Sequence, residues 1–195
     1  MHGTLAALRE ALSIINKHLH PLFDSEGRMP VGHSKASCIL CALTVRDFLH
    51  EIGITDAIVQ PVAICIEATI NGETSGILTI GHPQFEPKPD PNRWHGHMVN
   101  IVPSHNLLID TTLYQARRPK WPKLPGIVSA KLRDESFTWH GLRAICGVVI
   151  DNHIRVIWFS RTATSWRDTE AARDTSLRKN VVRQLSERYS TGYSQ

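Results

Sequence analysis

Three short segments of this 195-residue chain carry residue types that together could perform nucleophilic chemistry. Cys38 opens the run CILCALTVRDFLHEIGI, His97 directly precedes MVNIV, and Asp110 ends LLID. A thiol near a helix start is biased towards thiolate by the helix dipole, and a neighbouring imidazole biases it further. A carboxylate beside that imidazole would hold the tautomer that accepts the thiol proton. This order of parts indicates a thiol-nucleophile enzyme.

The first segment contains two cysteines three residues apart, and their positions distinguish them. Cys38 is predicted in the first turn of a helix that Ser34 or Ser37 could cap, where backbone N–H groups have no intrahelical partner. Those groups can favour a thiolate or bind a developing oxyanion. Cys41 lies one turn deeper, where the dipole acts less and a buried core thiol is expected. Cys38 is therefore the predicted nucleophile.

The other two segments contribute one candidate each. The chain has 11 histidines, so a histidine near a cysteine is not informative by itself. His97 differs because an apolar strand begins directly after it, whereas His95 is predicted in the preceding loop. Asp110 ends an apolar strand, where a carboxylate costs free energy unless another group pairs with it. His97 on the neighbouring strand is the natural partner, and a turn-capping role for Asp110 is the alternative.

Two helices are predicted in the first quarter of the chain. Apolar residues at spacings of three and four predict the first over residues 4–20, with Thr4 as its N-cap and Pro21 at its exit. The second is predicted over residues 37–51 and carries a broad apolar face, so it is expected to be central and mostly buried. Gly53 is placed to be its C′ residue.

Beyond residue 57 the pattern changes to apolar and β-branched runs that are typical of strands. A bend or boundary is expected at Pro61, and turns are expected at Asn71-Gly72, at residues 103–106 and at Asp151-Asn152. The predicted strands are residues 57–70, 76–82, 97–102, 106–110, 144–150 and 153–159.

The remaining segments complete the predicted architecture. Residues 82–94 and 115–126 are proline-rich and predicted as loops, the first placed to cover a site at His97. Residues 169–189 have apolar residues at helical spacing. The order of helix, helix, strands and helix favours an α+β fold in which a helix packs on an antiparallel sheet. No change in composition divides the chain, so a single domain over residues 1–195 is predicted.

Composition argues against several classes of protein. The net charge is only +4, and the basic stretches lack the interleaved aromatics of a nucleic-acid surface. No run approaches the roughly 18 apolar residues that span a bilayer, and the amphipathic N-terminus is unlike a secretory signal. We therefore expect a cytoplasmic protein with neither a nucleic acid nor a membrane as partner. Export by a route without a signal, and the oligomeric state, stay open.

The segment from about residue 36 to residue 115 resembles the transglutaminase-like branch of the papain-like cysteine enzymes. In that superfamily a helix led by the catalytic cysteine is followed by strands that bear a histidine and then an aspartate. The helix ends at a glycine fifteen residues after the cysteine, and here Gly53 follows Cys38 by fifteen residues. Cys41 does not fit that spacing. His97 is similar to the histidine that opens the family's second catalytic strand.

The third segment, Asp110-Thr111-Thr112, is similar to the family's Asp-Pro-Thr, with threonine in place of proline. Two further departures are Ser37, where many members have glycine before the cysteine, and Met98-Val99, which replaces Ala-Trp after the histidine. They leave the order of the catalytic residues intact. Because the fold also serves proteases, peptide-processing enzymes, deamidases and inactive members, the resemblance does not select protein crosslinking.

The resemblance implies a papain-like, transglutaminase-like fold and a cysteine-dependent hydrolase or acyltransferase. It would act on an amide of a protein or peptide substrate through a thioester, with a triad of Cys38, His97 and Asp110 and with no cofactor or metal. Neighbouring residues are candidates for contact with substrate or with the oxyanion, although packing is an equal alternative for the tryptophan. They are Ser37, Trp94 and Gln115.

Two other classes stay open. Cys38-x-x-Cys41 with His95-x-His97 supplies four ligands of the kind that structural zinc takes, although a Cys pair within a long helix is stiffer than a zinc knuckle. An inactive member of the same fold that serves as a protein-interaction module is the other alternative. The remaining cysteines, Cys65 and Cys146, are predicted as small buried residues of strands, because four cysteines are too few for a disulfide scaffold.

Overall fold

Helices and a curled antiparallel sheet make up the protein, so the predicted α+β class is confirmed. The computed structural model describes residues 2–29, 31–70, 73–82, 84, 94–118, 124–133, 137–150 and 153–192. The helices are α1 (His2–Ser25), α2 (Cys38–Glu51), α3 (Glu170–Arg173) and α4 (Thr175–Gly192). The strands are β1 (Ile58–Ile70), β2 (Glu73–Ile80), β3 (His97–Val102), β4 (Leu107–Asp110), β5 (Val128–Lys131), β6 (Thr138–Trp139), β7 (Leu142–Ile150) and β8 (Ile154–Ser160).

The sheet runs in the order β5-β4-β3-β1-β8-β7-β6, and β2 pairs with β1 beside this path. Every described pairing is antiparallel. The predicted strands correspond to β1 to β4, β7 and β8, whereas the short β5 and β6 were not predicted. The predicted turns at Asn71-Gly72 and Asp151-Asn152 lie outside the described residues, as do most of the first proline-rich loop and residues 119–123 of the second.

Strand β1 passes through Pro61 without interruption, and its pairing explains why. The Pro61 carbonyl accepts a hydrogen bond from the Arg161 N–H at 3.0 Å, where the ladder with β8 begins at Val62. The missing proline N–H therefore falls at the end of that ladder, where β1 loses no interior hydrogen bond. The first half of β1 pairs with β3, which carries His97, and so the strand organises the site.

Helix α1 is longer than predicted, because Pro21 lies inside it and the helix continues to Ser25. Proline removes one helical hydrogen bond and crowds the preceding turn. Leu22 and Phe23, which follow it, are 4% and 0% exposed. Burial of these two side chains in the last turn offsets the cost, so Pro21 does not end the helix. The predicted start at Thr4 is also displaced, since the helix begins at His2.

Helix α2 has the predicted bounds, and its end is the predicted glycine. Gly53 has φ +91°, the Gly53 N–H donates to the His50 carbonyl at 3.0 Å, and the Ile54 N–H donates to the Leu49 carbonyl at 2.8 Å. These two bonds form a Schellman motif. At the other end Ser37 occupies the N-cap position, but its side chain makes no capping hydrogen bond. The expectation that a serine hydroxyl caps this helix is therefore wrong.

Two apolar cores lie on the two faces of the sheet. The first joins α1, α2 and α4 to one face of β3 and β4, and the buried side chains predicted for the last helix belong to it. They are Leu177, Val181, Val182 and Leu185. The second core lies within the curl of the sheet and includes Val62, Ile64, Val99 and Trp158. In the described residues no helix is long and apolar enough to cross a membrane.

The predicted C-terminal helix over residues 169–189 is in fact two helices, α3 and α4, separated at Asp174. The Asp174 backbone has ψ +80°, and its carboxylate accepts a hydrogen bond from the Leu177 N–H at 3.1 Å. An aspartate that binds an amide three residues on is an N-cap, which starts a new helix rather than continuing the old one.

The Schellman cap allows a test of the end of α2. Replacement of Gly53 by Ala should lower the free energy of unfolding by about 1–2 kcal/mol, because an L side chain is strained at positive φ. A Cβ there meets no atom within 4 Å, so steric clash does not contribute. Gly53→Asn should cost less, since asparagine tolerates this conformation. Urea unfolding followed by circular dichroism measures both, and equal losses would contradict the interpretation.

Candidate active site

The site is built around two fully buried ionisable side chains on adjacent strands. His97 is the first residue of β3, Asp110 is the last residue of β4, and both are 0% exposed. The His97 Nε2–H donates to Asp110 Oδ2 at 2.7 Å. Because antiparallel pairing of the two strands places the start of one beside the end of the other, the chain brings these residues together through a short connection. The hydrogen bond leaves Nδ1 as the ring nitrogen that is not bound to Asp110.

Asp110 accepts two further hydrogen bonds. The Trp158 indole Nε1–H donates to Oδ2 at 2.9 Å, and the Thr112 backbone N–H donates to Oδ1 at 3.0 Å. A buried carboxylate keeps its charge only when hydrogen bonds or opposite charges replace water. Here the replacing hydrogen bonds come from His97 of β3, from Trp158 of β8 and from the turn that follows β4. The turn-capping alternative and the role as partner of His97 are thus both present in one side chain.

Cys38 completes the group. It is the first residue of α2 and is 7% exposed, in an apolar cluster with Ile39, Met98 and Trp166. It lies close enough to the His97 imidazole for the two side chains to interact, and this interaction raises the pKa of His97. Since Nε2 is bound to Asp110, the Nδ1 side of the ring is the side left for the thiol. The structure therefore brings together the three residues predicted from the sequence, in the order thiol, imidazole, carboxylate.

Opposing influences act on the pKa of His97. Burial is the largest and lowers it, whereas the charge and hydrogen bond of Asp110, and then the interactions with Cys38, raise it. The raising influences prevail, so the pKa is raised from 6.5 to about 10. An imidazole in this environment holds a proton strongly, which favours transfer of the thiol proton to His97.

The helix with the thiol and the strand with the imidazole are joined by a buried side-chain bond. Asn100 of β3 is 0% exposed, and its Nδ2 donates to the carbonyl of Ala42 in α2 at 2.8 Å. Asn100 lies three residues after His97, and Ala42 lies four residues after Cys38. The bond therefore fixes the separation of the two elements close to the reacting atoms. Asn100 Oδ1 is buried without a hydrogen-bond partner, so the bond to Ala42 is its only described polar contact.

A second buried network connects α1 with the residue after Asp110 and with the segment before Cys38. The His20 Nε2–H donates to the Thr111 carbonyl at 2.8 Å, and the Ser34 hydroxyl bonds to His20 Nδ1 at 3.1 Å. The Ser34 carbonyl accepts hydrogen bonds from the Ser37 N–H and from the Cys41 thiol. One histidine thus connects the residue after Asp110 with the segment that leads into α2. Burial, the largest influence, lowers the pKa of His20, which favours the neutral ring that this pattern requires.

The second cysteine of α2 is more deeply buried than the first and is bonded to the backbone. Cys41 is 0% exposed, and its Sγ donates to the Ser34 carbonyl at 3.2 Å. Burial raises the pKa of this thiol well above its usual value of 9.0. It behaves as a core residue. Among the described residues no three His, Cys, Asp or Glu side chains are grouped as metal ligands would be, so Cys38, Cys41, His95 and His97 do not converge as the zinc alternative requires.

The three residues proposed to contact substrate lie around this group in different ways. Gln115, in the 3-10 turn Leu113–Ala116, contacts His97 Nδ1 through its side-chain amide and is half-buried. Trp94 packs against the apolar cluster that contains Cys38 and is also half-buried. Ser37 precedes the nucleophile at the N-cap position. Both interpretations of Trp94, packing and contact with substrate, are compatible with this position.

Sequence reasoning did not find Trp158, Asn100 or His20. Trp158 reaches Asp110 across two intervening strands, β1 and β3, a separation of roughly 14 Å in a flat sheet. Only the curl of the sheet brings the indole within 2.9 Å of the carboxylate. A polar residue in an apolar strand, Asn100 in HMVNIV, was a signal that could have been used, because buried amides need partners.

Comparisons with known proteins place no further constraint on the site. A scan against protein-family models, a search of curated proteins and a search of solved structures each found no match.

The buried pair gives a prediction for Asp110→Asn. Loss of the carboxylate should lower the pKa of His97 from about 10 towards or below 6.5, because burial then acts without its main opponent. Stability should change as well. The folded pKa of His97 lies above its unfolded value, so the stabilisation is fully present below pH 6.5 and is lost as the pH rises through 10.

Ring nitrogen chemical shifts across pH measure the His97 titration, and urea unfolding at several pH values measures the stability. The wild-type protein should lose stability between pH 6.5 and pH 10, and Asp110→Asn should reduce that slope. The same slope in both proteins would contradict the assignment of the raised pKa to Asp110.

The indole bond to Asp110 gives a second prediction. Trp158→Phe removes one of the three donors to a buried carboxylate and should cost about 1–3 kcal/mol of unfolding free energy beyond the loss of packing. Trp166→Phe is the matched control, because Trp166 is also buried and its indole N–H bonds to none of the described residues. Equal losses in the two variants, measured by urea unfolding, would show that the hydrogen bond contributes nothing.

Proposed function

We propose that this protein is a cysteine-dependent hydrolase or acyltransferase that acts on an amide through a thioester on Cys38. One observation carries the proposal. Cys38, the first residue of α2, interacts with His97, and Nε2 of His97 is held by Asp110 at 2.7 Å. Nucleophile, base and orienting group are in contact in the order that this chemistry requires.

In the first step His97 takes the thiol proton of Cys38 at Nδ1. The sulfur then attacks the carbonyl carbon of the amide, the C–S bond forms, and the carbonyl π electrons move to the oxygen. Helix geometry leaves the first N–H groups of α2 without intrahelical acceptors, so those of Cys38 and Ile39 are available to the oxyanion. The Gln115 amide, which contacts Nδ1, is a further donor on the same side of the ring.

In the second step the oxyanion collapses and the C–N bond breaks. His97 gives its proton to the departing nitrogen, which leaves as ammonia or an amine, and the acyl group stays on sulfur as a thioester. Asp110 stabilises the protonated imidazole throughout this interval and keeps its ring orientation. Bonds from Trp158 and Thr112 hold the carboxylate in place while the charge on His97 changes.

In the last step water or a primary amine attacks the thioester while His97 takes one of its protons. The C–S bond breaks, the sulfur recovers the proton from His97, and the product is a carboxylic acid or a new amide. The two outcomes need the same residues, and they differ only in which nucleophile enters the site. We propose a protein or peptide as the substrate, with the reacting amide in a peptide bond or a glutamine side chain.

The proposed fold family is the transglutaminase-like branch of the papain-like cysteine enzymes. Three features support it: a cysteine at the start of a helix, a histidine at the start of the strand that packs on that helix, and an aspartate at the end of the next strand. The helix also ends at the glycine that the family spacing requires, in a glycine-dependent cap.

Alkylation of the thiols tests the proposal without a known substrate. At pH 6, iodoacetamide should modify Cys38 about tenfold faster than Cys65, a half-buried thiol whose pKa is raised by burial. Peptide mass spectrometry identifies the modified residue. His97→Asn should slow modification of Cys38 about tenfold, because the base that receives the proton is gone. Modification of Cys65 with Cys38 inert would overturn the assignment.

Cys41→Ser is the matched control, since Cys41 lies in the same helix and takes no part in the proposed chemistry. The rate at Cys38 should be unchanged in this variant, and urea unfolding should show that both variants are folded. Incubation with glutamine-containing peptides and a fluorescent primary amine then separates the two outcomes. Incorporation of the amine indicates transfer, and release of ammonia without incorporation indicates hydrolysis.

A further inference from the structure

A cleft of about 400 Å³ opens next to the proposed triad. This volume is in the range of sites that bind small ligands or single side chains. Its walls come from the end of β2, the residues before β3 and the turn after β4. They include Ile80, His82, Trp94, His95, Gln115 and Arg118, and we call the site the Arg118 cleft.

Two of these residues connect the cleft directly to the reacting groups. Gln115 lines the cleft and contacts the Nδ1 side of His97. Trp94 also lines it, and its ring packs against the apolar cluster that contains Cys38. A substrate whose carbonyl lies on Cys38 would therefore extend its neighbouring group into the Arg118 cleft.

Two glycines, Gly81 and Gly96, also line the cleft and expose backbone atoms there. A Cβ on Gly96 would lie 2.4 Å from the Trp94 ring, so only glycine lets the indole fold over residue 96. A Cβ on Gly81, where φ is +72°, would lie 3.0 Å from Gly96 Cα and 3.0 Å from Arg161 Nη1. Nη1 of Arg161 therefore lies next to the Gly81 backbone.

Among the described residues that line the cleft, Arg118 carries a positive charge. Arg161 is 6% exposed, and its Nη1 donates to the carbonyl of His95, a wall residue, at 2.9 Å. Arg118 is exposed at the rim, and its Nη1 donates to the Arg117 carbonyl at 2.9 Å, which anchors one end of the guanidinium. None of the described lining residues is acidic. A guanidinium at the rim of a small site favours an anion, and its effect is stronger where water is partly excluded.

We infer that the Arg118 cleft recognises a carboxylate on the substrate, next to the amide that reacts with Cys38. The planar guanidinium of Arg118 matches a carboxylate through paired hydrogen bonds. The Trp94 ring and Ile80 cover the aliphatic stem of such a group. The inference rests on the proposed function, since it names the substrate class of that same site.

A binding experiment tests the cleft without relying on the thiol. In Cys38→Ser, three isosteric ligands are titrated by NMR with the Trp94 indole N–H as the probe. N-acetylglutamine amide is neutral, N-acetylglutamine carries a chain-end carboxylate, and N-acetylisoglutamine carries a side-chain carboxylate. One of the two acids should bind about three- to tenfold more tightly than the neutral ligand. The tighter acid shows whether the carboxylate comes from a side chain or a chain end.

Arg118→Gln should remove that difference, and Arg117→Gln should retain it. Arg117 is the matched control because it is exposed, adjacent and equally charged but does not line the cleft. Arg118→Lys keeps the charge without the planar fork and should give an intermediate ratio. Equal binding of acids and neutral ligand, or equal effects of the two glutamine variants, would overturn the inference.

Alkylation of the wild-type protein links the cleft to the nucleophile. Relative to a free thiol, Cys38 should prefer iodoacetate over iodoacetamide by about threefold or more, and Arg118→Gln should lower this ratio while Arg117→Gln leaves it unchanged. If Cys38 is reactive but neither ligand binding nor its alkylation depends on Arg118, the inference about the Arg118 cleft is wrong and the proposed function still holds. If Cys38 is inert but ligand binding in Cys38→Ser depends on Arg118, the proposed function is wrong and the cleft is still a site that binds carboxylates.

Discussion

The buried carboxylate of Asp110 is the constraint on which the rest of the site depends. A charged group at 0% exposure is stable only when protein donors replace its lost water, and here three do so: His97, Trp158 and the Thr112 N–H. These donors come from β3, from β8 and from the turn after β4. One carboxylate therefore connects the imidazole of β3, the indole of β8 and the start of the following 3-10 turn.

The orientation of the His97 imidazole in turn determines the position that the Cys38 thiol must occupy. With Nε2 bound to Asp110, the Nδ1 side of His97 is left for Gln115 and Cys38, and α2 begins close to the ring. Two buried polar bonds hold the helix in that position. Asn100 binds the Ala42 carbonyl, and His20 connects the segment before α2 with the residue after Asp110. Since each of these side chains is buried, displacement of the helix would leave polar atoms without partners.

The sequence was sufficient to predict features that depend on residues close together in the chain. The extent of α2 and its glycine cap follow from apolar spacing and from one backbone angle, and both were predicted correctly. The α+β class follows from the order of elements. One prediction was wrong because a tertiary contact outweighs a local preference. Pro21 stays inside α1 because the residues after it are buried. Two other predictions failed for local reasons: the Ser37 side chain makes no capping bond, and Asp174 caps a new helix.

The sequence by itself determined which residue types are available and their order: a cysteine at a helix start, a histidine at a strand start and an aspartate at a strand end. Antiparallel pairing of neighbouring strands then makes the contact of His97 with Asp110 nearly local, which is why it could be anticipated. Only the tertiary structure decided the approach of Cys38 to that pair, the bond from Trp158 and the position of Arg118 beside the triad. Each of these depends on the packing of distant elements and the curl of the sheet, which no short-range pattern encodes.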